Sequence, residues 1–234
     1  MTELRRLNFN DTNLDAFGRL RVSNPVTTFD SKQLFDKAPL FWDDQETSGS
    51  GTTSTYNTDQ ASTTIAVGAT TAGTRIRQTF MRFNYQPGKS QLVFLTGTLD
   101  LSGGGTGITC SMGLNDADNG ICAQCKDGVI NMVLRSNTTG SPVDTTIAQS
   151  SWNLDKLDGT GASGKTLDAS KSQILIIDFE WLGVGRVRTG WVIGGAIIYC
   201  HQFLHSNISA GVYMSVPNLP LRYEISNDGT GTAS

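Results

Sequence analysis

The sequence predicts an all-β chain: an antiparallel, jelly-roll-like β-sandwich carried behind an extended N-terminal arm. Three observations support this. Residues 171–205 read as three consecutive strands joined by tight turns. Charged residues make up only 17% while 26 glycines punctuate the chain, the balance of short strands and many turns. Strand-like runs recur at short, even intervals with no sustained helical period.

Taken in order, residues 1–45 are polar and irregular, with isolated apolar anchors at Leu14, Phe17, Leu20, Val22, Phe29, Leu34, Phe35, Leu40, Phe41 and Trp42. A segment of this kind cannot bury enough surface to fold alone, yet it carries too many aromatics for a disordered tail. It reads as an anchoring arm that lies in grooves of its own domain or of a neighbouring subunit. Residues 46–63, almost wholly Ser, Thr, Gly, Asn and Asp, read as a linker or loop. The sandwich is expected over 64–225. Its strands are read at 64–69, 74–85, 91–99, 108–114, 121–125 and 129–134, then, after a long polar loop at 136–170, in the central meander and at 211–216 and 221–225. Residues 226–234 are turn-like and read as a C-terminal tail from which a longer natural chain would continue.

The meander is the clearest part. Residues 173–182 open on the apolar run Ile174–Ile177, then set Phe179 and Trp181 on one face and Asp178 and Glu180 on the other. Residues 185–193 alternate again, with Arg186 and Arg188 opposed to Val187, Thr189 and Trp191. Gly194-Gly195 supplies the two positive-φ positions of a hairpin turn, and 196–203 runs back. An apolar face on such a meander must be covered by a second sheet.

Composition excludes several classes of function. The net charge is −3 with no basic run, which argues against nucleic acid, because phosphate binding needs a concentrated basic face. The pairs Arg75/Arg77 and Arg186/Arg188 are expected on solvated strand faces. No 18-residue apolar span offers a membrane crossing. The start Met-Thr-Glu-Leu-Arg-Arg lacks a signal-peptide core, so Cys110, Cys122, Cys125 and Cys200 are expected to stay reduced.

Gly159–Thr166 matches the G-x-x-x-x-G-K-[ST] phosphate-loop pattern, but no buried strand precedes it and seven residues before Ile174 leave no room for its helix. Ile177–Trp181 resembles the E-x-D-x-x-E strand of jelly-roll glycosidases, with Asp178 as helper and Glu180 as acid. The nucleophile position falls on Ile176, which cannot attack an anomeric carbon. Asp178 and Glu180 are equally placed to pair with Arg186 or Arg188 across the hairpin. Cys122-x-x-Cys125 is half a zinc knuckle without a second pair. With two histidines and no G-x-S-x-G elbow, hydrolase triad chemistry is not expected. Trp42 and Trp152 are the candidate glycan contacts, as stacking platforms, against a core or interface role. No catalytic, metal or cofactor residue is assigned, and no cofactor is expected.

Several stretches resemble structural proteins of tailed bacteriophages: Asp15–Ser23 (DAFGRLRVS), Phe29–Gln33, Leu40–Asp43, Arg77–Gln91 and Asp178–Arg188. The resemblance implies a non-enzymatic virion component of head-fibre, decoration or tail type. It would be assembled in the host cytoplasm as a homotrimer or other homo-oligomer and attached to other virion proteins of capsid or tail through its arm. A carbohydrate- or host-receptor-binding module on the same fold, contacting a host surface glycan, is the alternative, and a degenerate glycosidase the third.

Overall fold

The computed structural model describes residues 26–99, 106–182 and 185–232. Among them run thirteen strands: β1 (Trp42–Gly49), β2 (Thr53–Asn57), β3 (Ser62–Ala66), β4 (Gly73–Thr79), β5 (Gln91–Gly97), β6 (Ile108–Asn115), β7 (Gly120–Lys126), β8 (Val129–Ser136), β9 (Val143–Ala148), β10 (Gln173–Phe179), β11 (Val187–Ile193), β12 (Ala196–Phe203) and β13 (Leu221–Asn227). Helix among the described residues is limited to two single 3₁₀ turns, Thr58–Gln60 and Gln149–Ser151.

The strands build an antiparallel β-sandwich. A seven-stranded sheet has the order β1-β4-β13-β6-β7-β8-β9 and a four-stranded sheet the order β12-β11-β10-β5, with β2-β3 as a separate hairpin. The core lies between the two sheets. The large sheet contributes Met112, Leu114, Ile121, Ala123 and Met132, the small one Leu95, Leu175, Ile177, Phe179, Val187 and Trp191, all buried in one cluster. Truncating a fully buried aromatic such as Phe179 to Ala would cost about 3–5 kcal/mol. The meander forms as expected, with Asp178 opposite Arg188 and Gly194 and Gly195 at φ 61° and 80°.

Several boundaries differ from the sequence reading. Residues 46–63 are not a loop. They complete β1 and form the β2-β3 hairpin, because Thr-rich runs pair readily once a neighbouring strand satisfies their backbone. The expected loop at 136–170 contributes β9, the edge of the large sheet. Residues 211–216 do not form a strand; Tyr213 Oη donates to the Glu180 carbonyl oxygen (2.7 Å) and the Ser215 N–H donates to Asn119 Oδ1 (3.0 Å), so loop contacts replace a ladder. The expected tail is pinned as far as Gly231, where Asn227 Oδ1 accepts from Gly229 and Gly231 N–H (2.9 and 3.0 Å). Nor do all the arginines lie on solvated faces, since Arg77 and Arg188 are buried.

Candidate interaction surface

Of the expected anchoring residues, Leu14, Phe17, Leu20 and Val22 lie outside the described residues. The remainder divide into two groups, and the division is informative. Phe29 folds back onto the sandwich, its ring 6.3 Å from Phe41, 6.2 Å from Trp42 and 5.4 Å from Phe83. Trp42 is buried under Arg77, whose guanidinium lies 5.1 Å from its ring centre, and Trp42 Nε1 donates to Ser31 Oγ at 2.8 Å. Phe35 and Leu40, by contrast, are 91% and 87% exposed. Val26, Leu34 and Phe41 are exposed as well, and so are Phe80 and Met81 just beyond β4.

Polar contacts hold this segment in place. Gln33 accepts from Tyr56 Oη through its backbone carbonyl (2.8 Å) and from Thr63 through its side chain, which fastens the segment to the β2-β3 hairpin. Lys37 Nζ donates to the Ser54 carbonyl oxygen (3.1 Å), and the Lys37 carbonyl accepts from Arg77. Asp44 draws together Arg75 (2.7 Å), Arg77 (3.5 Å) and Lys37 (3.7 Å) beneath it. Burial alone would raise the Asp44 pKa, but hydrogen bonds from Ser54 and Arg75 with the nearby cations outweigh it and hold the carboxyl below its ordinary range. At Ala38, φ is +50° and the carbonyl accepts from both Phe41 and Trp42 N–H (3.0 Å each). That tight turn enters β1 directly, and the Phe80 N–H then donates to the Phe41 carbonyl (3.0 Å), bringing Phe41 and Phe80 side by side. Residues 29–45 are therefore part of the domain rather than a detachable arm.

The other candidate positions are occupied internally. Trp42 and Trp152 are 5% and 3% exposed, so neither presents a ring face to a glycan. Trp152 Nε1 donates to the Ile147 carbonyl (3.2 Å), and its ring belongs to the core, although it lies within the stretch expected as a long polar loop. The phosphate-loop look-alike closes on a carboxylate of its own chain. Asp155 accepts the Leu157 N–H (2.9 Å) and the Ser163 N–H (2.7 Å), and a Cβ at Gly161 would fall 2.1 Å from Asp155 Oδ1. These amides are thus already spent on an internal anion, and the loop is stitched shut by Leu167 N–H to the Leu157 carbonyl (2.8 Å).

The carboxylates of the meander are fully buried and line no open groove. Arg188 Nη2 lies 2.5 Å from Asp178 Oδ2, Tyr199 Oη donates to the same oxygen at 3.4 Å, and the Arg188 guanidinium stacks 4.3 Å from the Tyr199 ring centre. Cys122 and Cys125, three apart on β7, point to opposite faces as the period of a strand requires, which breaks the half knuckle. All four cysteines are buried, and burial pushes the Cys122 thiol up to about 12. His205 Nδ1 sits 2.8 Å from the Gly185 carbonyl, so it donates, while its ring stacks on Tyr213 at 4.1 Å. Among the described residues no cluster of three metal-ligating side chains occurs, and no helix is long and apolar enough to cross a membrane.

No protein-family model matches this chain, and no curated protein matches it. A solved structure of a legume lectin-like domain from Entamoeba histolytica superposes with a TM-score of 0.45 at 10% identity, covering 91% of this chain and 93% of its own. That likeness carries no argument about function.

Proposed function

We propose that this chain is a non-enzymatic structural subunit of a tailed-phage virion. In this reading it self-associates as a homotrimer or other homo-oligomer, contacts other virion proteins of capsid or tail through residues 1–45, and projects its β-sandwich. The observation that carries the reading is the exposed apolar surface of Leu34, Phe35, Leu40, Phe41, Phe80 and Met81. Exposed large apolar side chains, with Phe41 and Phe80 adjacent, are the material from which a subunit contact is built. Two further features support it. Asp178 and Asp155, which fall in the stretches that resemble catalytic motifs, are engaged in internal pairing, and Phe41 and Phe80 directly flank β1 and β4, which pair along their length.

The test is incorporation into particles. Removing residues 1–25 or replacing Phe35, Leu40 and Phe41 with Ser should each abolish incorporation while the purified β domain keeps its melting transition. Removing 1–45 is not equivalent, because it deletes Phe29, Trp42 and half of β1. Normal incorporation of both the shortened and the substituted proteins would refute the proposal.

A further inference from the structure

We propose a binding site for a neutral, hydroxyl-rich ligand, a glycan chain, on the outer face of the seven-stranded sheet, centred on Asn115. The site is separate from the apolar surface and does not rest on the assembly role. Alternate residues of β6, β7, β8 and β13 turn outward here, and most of them are polar: Thr109 and Ser111 on β6, Gln124 on β7, Asn131 on β8 and Glu224 on β13, with Gly113, Cys122 and Val133 between them. Between them is a cavity of ≈ 30 Å³ lined by Thr109, Ser111, Asn115, Cys122, Gln124, Arg135 and Glu224. This is room for one or two oxygen-sized groups.

Three properties identify the ligand class. The first is an unsatisfied acceptor: Asn115 is 3% exposed and its Oδ1 has no hydrogen-bond partner among the described residues. A buried amide oxygen left so is costly, and a donor entering the cavity would relieve it. The second is charge balance. Arg135 is held by both oxygens of Asp144 (2.7 and 2.9 Å), and Glu224 by Arg222 (3.1 Å), so the cavity has no spare charge to recruit an ion. The third is the make-up of the rim. Planar Asn, Gln, Arg and Glu groups beside Ser and Thr hydroxyls offer donors and acceptors together. A hydroxyl both gives and takes a hydrogen bond, and a chain of them matches such a rim along its length. The two aromatic residues singled out from sequence are buried, so binding here rests on polar complementarity and not on ring stacking.

The experiment is a titration of the full chain followed through the side-chain amide signals of Asn115 and Gln124 by ¹⁵N NMR. The probes are neutral cello-, malto-, chito- and galacto-oligosaccharides at millimolar concentrations, with a neutral Gly-Ser peptide as comparison. The expected result is that at least one saccharide class shifts both signals saturably. Asn115→Ala and Gln124→Ala should then each weaken binding about tenfold, the loss of one hydrogen bond, with the melting transition retained. If Asn115→Ala fails to fold, Gln124→Ala and Ser111→Ala carry the test. No saccharide shifting either signal, shifts from the peptide alone, or unchanged affinity in the folded variants would overturn the proposal. Because Phe35→Ser and Leu40→Ser should leave saccharide binding intact, failure here is distinguishable from failure of the assembly reading.

Discussion

Consider replacing Phe35, Leu40 and Phe41 together by Ser. In the single chain these side chains are 91%, 87% and 56% exposed, so their truncation removes little that the monomer buries. Scaled by the fractions already buried, most of it Phe41 against Phe29, the monomer should lose only about 1–2 kcal/mol. Association should respond very differently. Full burial of each such side chain is worth about 1.5–3 kcal/mol, and scaling by the area still open gives roughly 4–7 kcal/mol for the three together. That corresponds to a dissociation constant weaker by roughly 10³–10⁵. Sedimentation equilibrium over the micromolar range reads the second effect, and a thermal melt of the dilute protein reads the first. Phe29→Ser is the control with the opposite signature. Its ring touches Phe41, Trp42 and Phe83 inside one chain, so the monomer itself should lose about 2–4 kcal/mol. If the triple variant associates like the parent chain, or the parent is monomeric at high concentration, these side chains are not a contact between copies of this chain.

Three other outcomes are expected. Arg188→Ala strips the buried Asp178 carboxylate of its guanidinium and should cost about 3–5 kcal/mol in urea titration; a loss under 1 kcal/mol would show that the pair is solvated. Gly120→Ala places a Cβ 2.1 Å from Asn115 Cβ at φ +148°, so it should lower the melting temperature sharply and disturb the β6-β7 turn, whereas Gly128→Ala, with open space around its Cβ, pays for backbone strain alone. Burial lowers the pKa of both His201 and His205, with a Gly185 hydrogen bond partly opposing it at His205. The unfolded chain therefore takes up these protons first, so their contribution is complete above about pH 6.5 and lost as pH falls from there towards the folded values. Asp44 and Asp116, both depressed, add a second loss below about pH 4. A melting temperature flat from pH 7 to 5 would contradict the histidine assignment.

Much of the fold was legible because β structure writes a local signature. Alternation in 173–203, the Gly194-Gly195 turn and the even spacing of runs from 91 to 134 are all properties of neighbouring residues. The same locality explains the misses. Thr53–Asn57 and Val143–Ala148 carry no apolar alternation, the first being at most half-buried and the second largely exposed, and they became strands only because a partner strand lay alongside. Phe35 and Trp42 were indistinguishable as apolar anchors, yet one is solvated and the other buried; the difference is set by the turn at Ala38 and by what Arg77 and Ser31 place over the indole. Asn115 gave no sign at all, because an amide left without a partner is a fact about neighbouring strands.

From the order of residues alone came the antiparallel sandwich, its central meander and the segregation of Phe179 and Trp181 from Asp178 and Glu180, since pleat and turn are dictated within a few positions. Which polar groups are spent and which stay available was decided only on folding. Asp155 meets Ser163 and Leu157, Asp178 meets Arg188, and Asn115 Oδ1 meets no donor among the described residues, because hydrogen bonds and burial depend on distances that sequence separation does not encode.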